Sequence, residues 1–257
     1  MSASPKGCLF LDACVVFAKI LGESEKIMDK LELEAKRKGI PCYFSESVKV
    51  ECERKLNFTE TFFEKVFRVF AETHFSFCRQ QLGKNPKDPL SKDDFQIFAS
   101  LFTELRMSTA AVLQQPLRTL EIEMVLAAED LIRKGLKMDF SSFLQNFIRE
   151  ALLLAVHIRI QKVKFITNEQ GFFKKNGVLP DNNITTQLLA KVSRPKGYPF
   201  HKEDADNISS AWSHMNNTKE KTVFASFDFR TVISHAKEIY TIIGIRCADP
   251  LYAVHFL

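Results

Sequence analysis

Short apolar runs alternate with amphipathic stretches over the first part of the chain. The run CLFLD, from Cys8 to Asp12, is apolar up to its acid, which predicts a buried strand. A charge-rich amphipathic stretch from Ala13 to Lys38 predicts helix and ends at Gly39, a helix-stop signal. IPCYF, from Ile40 to Phe44, predicts a second strand. Ser45 then caps a predicted helix whose apolar positions are spaced four apart, at Val48, Cys52 and Leu56.

The middle of the chain, from Phe58 to Ile166, has a helical pattern almost throughout. Breaks are predicted at Asn85 to Pro89, at Pro116 and at Gly135, so four or five helices are expected. Residues 167–200 lose this periodicity and gain Gly, Pro and Asn, which predicts a long loop or a partly ordered arm.

The last 57 residues return to alternating helix and strand. The predicted elements are a helix at His201 to Asn217, a strand at Lys221 to Asp228, a helix at Phe229 to Tyr240 and a strand at Gly244 to Pro250. Because strand and helix alternate at both ends, we expect an α/β fold whose parallel sheet is closed by distant segments. The predicted division is a core from residues 1–57 and 200–257, a helical insertion at 58–166, and a basic loop or arm at 167–199.

Composition limits the class of protein. A chain of 257 residues with 46% hydrophobic content can form one large domain, or one domain with an insertion. The 24 Phe residues against one Trp favour a helical core over stacking platforms. The six cysteines show no C-x-x-C spacing, which favours reduced thiols. The early apolar run is interrupted by Asp12 and no later run spans a bilayer, so we expect a soluble, cytoplasmic protein without membrane contact.

Carboxylates stand where α/β sheets form their sites. Asp12 and Asp228 end predicted strands, and ligands bind outside the carboxyl ends of parallel strands. Asp204 continues the buried stripe of its predicted helix, whereas Asp206 points away. Glu51 and Glu53 cannot be distinguished by periodicity. The simpler alternative is that each Asp only caps the helix that follows it.

Several oxygen ligands without a His or Cys constellation favour a hard cation, Mg²⁺ or Mn²⁺, over zinc. Carboxylates held together repel one another, and a divalent ion would relieve that repulsion. Such an ion could also deprotonate a water for attack on a phosphodiester.

Four segments together resemble the PIN-domain family. LFLDACVVF, Leu9 to Phe17, resembles its opening strand, and FSESVKVECERKL, Phe44 to Leu56, resembles its Ser-led acidic helix. EDADNISSA, Glu203 to Ala211, resembles the third motif. VFASFDFRTV, Val223 to Val232, with IIGIRCADPLYAV, Ile242 to Val254, resembles the closing strands. The resemblance implies a three-layer α/β/α parallel sheet, here carrying a mostly helical insertion.

The resemblance also implies an activity and a set of residues. It implies a divalent-metal-dependent endoribonuclease that cleaves single-stranded RNA with metal-activated water. The implied catalytic and metal-binding acids are Asp12, Glu51, Asp204 and Asp228, and the secondary candidates are Asp206, Ser226 and Ser45.

Three features depart from the family pattern. The 152 positions between Glu51 and Asp204 exceed the usual spacing, position 14 is Cys where Asn is common, and Arg230 stands where another acid often lies. The alternative function is therefore a catalytically degenerate PIN-like scaffold that binds RNA or protein. A haloacid-dehalogenase-type phosphatase also begins with a strand-end Asp, but it needs a second acid at the position of Cys14.

A basic segment precedes the third motif. Nine Lys or Arg and two acids lie between Arg159 and Lys202, more positive charge than the net +5 of the whole chain. The segment could guide a phosphate backbone, with Phe172, Phe173 and Tyr198 stacking on bases, although it could equally be a solvated loop. The predicted RNA-binding residues are Lys174, Lys175, Arg194, Lys196, Lys202 and Arg230. The helical insertion is expected to brace the sheet and to offer a protein interface.

Overall fold

The structure is a computed structural model that describes residues 7–22, 25–135, 137–167, 173–192 and 200–257. The chain forms two compact units. The first unit contains residues 1–54 and 161–257, and the second contains residues 55–160.

The first unit is built on a five-stranded sheet in which every neighbouring pair is parallel. The strand order is β3-β2-β1-β4-β5, so the opening strand lies at the centre. Leu9 is in register with Cys42 on one side and with Val223 on the other. The predicted α/β class with a parallel sheet is confirmed. The strands are β1 Cys8–Leu11, β2 Cys42–Phe44, β3 Phe173–Lys175, β4 Thr222–Ala225 and β5 Arg246–Ala248.

Helices of the first unit cover the sheet because its central strands are apolar on both sides. Phe10 and Phe224 point into a core with α8, α9 and α10, and α11 contacts α2 and β4. These contacts are compatible with three layers. The helices are α1 Ala13–Leu21, α2 Glu25–Lys38, α3 Glu46–Thr61, α8 Asn182–Lys191, α9 Lys202–Thr218, α10 Ala236–Ile243 and α11 Pro250–Ala253, with a π-helical segment at Phe229–Ile233 and a final 3-10 turn at Val254–Phe256.

The second unit is helical, as predicted. Its core consists largely of phenylalanine rings, and Phe75 and Phe147 pack with their centroids 5.2 Å apart. The buried rings of this unit are Phe63, Phe67, Phe75, Phe98, Phe102, Phe140, Phe143 and Phe147. Its elements are a π-helical segment at Phe62–Val66, α4 Phe67–Leu82, α5 Lys92–Ser108, α6 Ala111–Arg133 and α7 Phe140–Ile166.

Two sequence predictions about secondary structure are wrong. Pro116 does not break a helix, because it lies inside α6 near the start, where Leu113, Leu117 and Leu120 are buried and stabilise the turn. Residues 167–200 are not one loop, since they contain β3 and α8. β3 reads FKK and is too short and charged to show a strand pattern. Asp181 caps α8 by accepting hydrogen bonds from two backbone amides.

No described helix is long and apolar enough to cross a membrane. The predicted strands at Cys8, Ile40, Lys221 and Gly244 are present with shorter bounds. Because all strands are parallel, their carboxyl ends lie at one edge of the sheet. That edge positions the candidate site.

Candidate active site at the carboxyl edge of the sheet

Asp12 is the buried centre of the site. It follows β1, is 5% exposed, and its Oδ1 accepts a hydrogen bond of 2.7 Å from the backbone amide of Ala13. Its Oδ2 accepts hydrogen bonds from Ser226 Oγ at 2.6 Å and from Cys14 Sγ at 3.1 Å. Burial raises the pKa of Asp12, with a further contribution from Glu51, and the two side-chain hydrogen bonds oppose this rise. The carboxylate is thus held in one orientation in a costly environment.

Ser226 and Cys14 link the central strands β1 and β4. Ser226 is fully buried one residue after β4, and its Oγ accepts a hydrogen bond from the backbone amide of Asp228 at 2.9 Å. The Sγ of Cys14 lies 3.4 Å from Ser226 Oγ and accepts a hydrogen bond from the amide of Phe227. Burial, and then Asp12, raise the pKa of Cys14 well above its usual value. Cys14 is therefore a thiol that donates to Asp12, in the position where an amide was expected from the resemblance.

Glu51 reaches the site from α3, and an amide group connects it with Asp12. The Nδ2 of Asn207 donates to Glu51 Oε2 at 3.2 Å and to Asp12 Oδ1 at 3.4 Å. Glu53, which periodicity could not distinguish from Glu51, instead pairs with Lys49 at 3.5 Å. The structure therefore places Glu51, rather than Glu53, beside Asp12.

Asp204 lies in the first turn of α9 and is partly buried. Its Oδ2 accepts a hydrogen bond from the backbone amide of His201 at 3.2 Å. Burial raises the pKa of Asp204 to about 7, and the charges of Asp12, Asp228 and Glu51 add to the rise. Asp204 therefore lies within electrostatic range of the other three acids, and Glu51 also lies within range of Asp12. We call these four residues the acid cluster.

Asp228 accepts hydrogen bonds from the helical segment that follows it. It follows β4, and its Oδ1 accepts hydrogen bonds from the backbone amides of Arg230 and Thr231, both at 2.9 Å. Its Oδ2 accepts one from Thr231 Oγ1 at 2.5 Å. Asp228 therefore caps the following helical segment, as the simpler sequence alternative expected, while it also belongs to the acid cluster.

The donor set of the acid cluster fits a hard divalent cation. The four acids offer carboxylate oxygens, and Ser226 and Asn207 beside them offer a hydroxyl and an amide oxygen, all of which are donors that Mg²⁺ and Mn²⁺ prefer. Among the described residues, no three of the acids bring ligand oxygens within 4.8 Å of one another. Four like charges repel, so a closer approach requires a cation or protons between them. The Oδ1 atom of Asn207 is buried beside the cluster and has no hydrogen-bond partner among the described residues, so it is a further oxygen donor that fits such a cation.

The secondary candidates divide between site and scaffold. Ser226 belongs to the site, as described above. Ser45 lies one residue after β2 and caps α3, because its Oγ accepts a hydrogen bond from the amide of Val48 at 3.2 Å. Asp206 points toward α8 and accepts a hydrogen bond from Thr185 Oγ1 at 2.9 Å. These two residues stabilise the helices around the site.

The predicted RNA-binding residues have different positions. Lys174, Lys202 and Arg230 are exposed, and the last two are close in sequence to Asp204 and Asp228. Lys175 forms an ion pair of 2.5 Å with Glu46 at the start of α3. Phe173 is 6% exposed, so its ring cannot serve as a base-stacking surface. Arg194, Lys196, Phe172 and Tyr198 lie outside the described residues.

A second group of metal-type ligands lies beneath the carboxyl-terminal half of α9. The ligand atoms of Cys8, His214 and Glu220 lie within 4.8 Å of one another, the sole such set among the residues that the structure describes. We call these three residues the histidine cluster. Burial, and a smaller effect of Glu220, raise the pKa of Cys8 to about 11, so its sulfur is a thiol that lies 3.4 Å from Thr222 Oγ1.

Hydrogen bonding explains the histidine cluster without a metal. Asn176 Oδ1 accepts a hydrogen bond from the amide of Val178, which leaves Nδ2 to donate to His214 Nδ1 at 3.0 Å. The proton of His214 therefore resides on Nε2, which faces Glu220 Oε2 at 3.4 Å. A zinc ligand needs a bare nitrogen at that position. The cluster is accordingly a structural network.

Asn207 is the site residue that sequence analysis missed. It is 1% exposed and lies three residues after Asp204 on α9. A signal was present, since Asn207 precedes Ala211 by four positions and so falls on the stripe that contains Asp204. A polar residue on a buried helical stripe indicates either a hydrogen-bond network or a ligand.

Comparisons of the chain with protein-family models, with curated proteins and with solved structures gave no match. Function is therefore inferred from the chemistry of the acid cluster and from the motifs around it. The cluster contains several oxygen donors around a buried central carboxylate. The chain that carries it is mildly basic, with a net charge of +5.

Proposed function

We propose that the chain is a divalent-metal-dependent endoribonuclease with a PIN-like α/β/α core. Its metal would be Mg²⁺ or Mn²⁺, and its substrate single-stranded RNA. The ligands would be Asp12, Glu51, Asp204 and Asp228. The family assignment depends on the four sequence motifs, and the chemistry depends on the cluster that they form.

One observation carries this proposal. Acids from both ends of the chain follow or approach one edge of a parallel sheet, where burial raises the pKa of Asp204 to about 7 and the charges of Asp12, Asp228 and Glu51 add to the rise. Like charges close together in a partly buried site destabilise the protein, and such an arrangement therefore indicates a functional site. The negative charges would bind a divalent cation, and the cation would in turn bind a phosphodiester.

The residues of the site have different roles in the proposed reaction. When bound, a divalent cation supplies an activated water and stabilises charge on the phosphate. Ser226 and Cys14 both donate to Asp12 Oδ2 and so orient that carboxylate. Asp204 gains its charge as its proton leaves, which makes it a ligand whose affinity rises with pH. Lys202 and Arg230 provide exposed positive charge next to two of the acids in sequence.

Cleavage of a labelled single-stranded RNA in Mn²⁺ tests the proposal, with Asp12→Asn as the variant. We expect activity to fall by about 10³-fold or more, because the central charge is lost while the shape is kept. The matched control is Asp249→Asn. Asp249 also ends a strand and caps a helix, with Oδ1 accepting from the amide of Leu251 at 2.9 Å. Wild-type activity in Asp12→Asn, or equal losses in both variants, would remove the assignment.

A second function has a specific observation in its favour. Both oxygens of Asp228 are already bonded to Arg230 and Thr231, which suits a structural cap in a PIN-like scaffold without catalysis. Such a scaffold would bind RNA or protein and take up no metal. Calorimetry distinguishes the two functions. No heat of binding at millimolar Mn²⁺ or Mg²⁺, together with retained RNA binding, would favour the scaffold.

A further inference from the structure

Asn207 has an unusual set of partners for a fully buried amide. Its Nδ2 bond to Glu51 Oε2 is 3.2 Å long, at the upper end of the usual N–H···O range, and its bond to Asp12 Oδ1 is longer, at 3.4 Å. Its Oδ1 is buried and has no hydrogen-bond partner within the described protein. A buried carbonyl without a hydrogen-bond partner is unfavourable, so a retained one needs an explanation.

Neighbouring residues on α9 show that the helix otherwise satisfies its buried polar groups. Ser209 Oγ donates to the backbone oxygen of Asp181 at 2.9 Å and accepts from the amide of Asp181 at 2.8 Å. Ser210 Oγ donates to the backbone oxygen of Asp206 at 2.9 Å. Both serines are fully buried. The unpaired atom is thus particular to position 207, the position that faces the acids.

The two ends of the amide suit two charge states of the acid cluster. With two carboxylates and no cation, the Nδ2 hydrogens must face Asp12 and Glu51, which is the observed orientation. If a cation binds between these acids, an N–H group beside it becomes unfavourable and an amide oxygen becomes a ligand. Rotation of the amide about its last side-chain bond exchanges the two ends without moving the helix.

We propose that Asn207 is a fifth oxygen ligand of the metal site, and a neutral one. When Mg²⁺ or Mn²⁺ binds, its Oδ1 would coordinate the cation and its Nδ2 would give up the hydrogen bonds to Asp12 and Glu51. This inference rests on the proposed function, since it requires that the acid cluster binds a divalent cation. It adds a ligand on α9 one helical turn beyond Asp204.

Calorimetric titration with Mn²⁺ tests the ligand role through Asn207→Leu, which has a similar volume and no polar atoms. The two possible roles of Asn207, metal ligand and hydrogen-bond donor, predict different changes in Mn²⁺ affinity. Removal of a ligand weakens Mn²⁺ binding by about 10–100-fold. Removal of a donor that competes with the cation for Asp12 and Glu51 leaves binding unchanged or tightens it. The control is Asn216→Leu, on the exposed end of the same helix, where Asn216 accepts from Lys219 Nζ at 3.2 Å.

Luminescence lifetimes of Eu³⁺ in H₂O and D₂O provide a count of ligands that does not depend on activity. We expect Asn207→Leu to bind Eu³⁺ with about one more water than the wild-type protein, because water replaces the lost oxygen. Asn207→Asp serves if the Leu variant does not fold. It keeps an oxygen at this position, so we expect an unchanged water count and a lower metal-free Tm.

The outcomes separate this inference from the proposed function. If the wild-type protein binds neither Mn²⁺ nor Eu³⁺, both proposals are overturned. If the wild-type protein binds Mn²⁺ and Asp12→Asn weakens it, while Asn207→Leu binds as tightly or more tightly, the role of Asn207 alone is overturned. The role of Asn207 would also be overturned if Asn207→Asp bound Eu³⁺ with about one fewer water than the wild-type protein. That result would show that the Asp oxygen is a ligand where the Asn oxygen was not.

Discussion

Helix α9 has a buried polar group near each end, and the two ends differ in how those groups are satisfied. At the carboxyl-terminal end, His214 bonds to Asn176 and Glu220 through both ring nitrogens. At the amino-terminal end, Asp204 lies near three other acids, and the Oδ1 of Asn207 has no hydrogen-bond partner in the part of the chain that the structure describes. Both ends contain residue types that bind metals, so residue type alone does not separate them.

The difference between the ends lies in charge and in completeness. In the histidine cluster, the thiol, the imidazole ring and the single acid all have hydrogen-bond partners within the protein. The acid cluster collects like charges and leaves a buried acceptor open. A complete network stabilises the fold, whereas an incomplete and repulsive one indicates a ligand. Substitutions at each end of α9 test this difference.

The largest expected effect is on catalysis, from Asp204→Asn. We expect RNA cleavage in Mn²⁺ to fall by about 10³-fold, because a charged ligand is lost. Metal-free stability should rise at pH 7.5, since repulsion with Asp12, Glu51 and Asp228 is removed. The matched control is Asp206→Asn, two residues later on the same helix and bonded to Thr185. A lower metal-free Tm for Asp204→Asn at that pH would contradict the acid cluster.

The next effect concerns pH and the metal-free protein. The folded-state pKa of Asp204, about 7, lies above its usual 3.8, so its contribution to stability is present below pH 4 and is lost as pH rises to about 7. We expect a loss of about 2–4 kcal/mol across that window by urea unfolding in EDTA. Asp204→Asn should flatten the profile. The difference between the two profiles isolates this residue, and equal profiles would show that Asp204 does not titrate there.

A smaller effect is expected at the opposite end of α9. His214→Leu leaves Glu220 and Asn176 without their partner, so we expect the free energy of unfolding to fall by about 1–3 kcal/mol. The response of Tm to added Mn²⁺ should stay as in the wild-type protein. Zn²⁺ should not stabilise the wild-type protein through this cluster. A Zn²⁺-dependent rise in Tm that His214→Leu abolishes would make the histidine cluster a metal site.

The smallest effect is on RNA affinity. Lys202→Ala removes an exposed positive charge at the start of α9, so we expect binding to weaken about threefold at low salt. The slope of log affinity against log salt should decrease by about one. Fluorescence anisotropy in EDTA measures both quantities without cleavage. The control is Lys36→Ala at the end of α2, where Lys36 pairs with Glu32 at 2.7 Å. Equal changes in both variants would indicate a general charge effect.

Much of the fold could be predicted because its signals are local. Four of the five strands lie within predicted strand segments, and α1, α2, α3, α9 and α10 lie within or overlap predicted helices, whereas α8 and α11 were not predicted. β3 could not be predicted, since a strand of three residues reading FKK is stabilised only by pairing with β2. Pro116 shows the same limit, because buried leucines around it outweigh the lost hydrogen bond.

Three acids of the candidate site were indicated by their positions in the sequence. Asp12 and Asp228 follow apolar strands, and Asp204 continues a buried stripe, so each could be named before any contact was known. Periodicity does not distinguish Glu51 from Glu53, because both lie at equal angles from Cys52 on α3, and only the resemblance to the PIN-domain family pointed to Glu51. Contacts with Asn207 and Lys49 decide between them.

Local sequence patterns were sufficient to predict four of the five strands, most of the helices and the acids that follow them, because hydrophobic periodicity and capping act over a few neighbouring residues. Which polar groups contact one another became visible only in the folded chain. The bridge of Asn207 between Asp12 and Glu51 joins segments 195 and 156 residues apart. Whether a buried polar group is satisfied depends on partners that distant segments supply, and no local pattern encodes that.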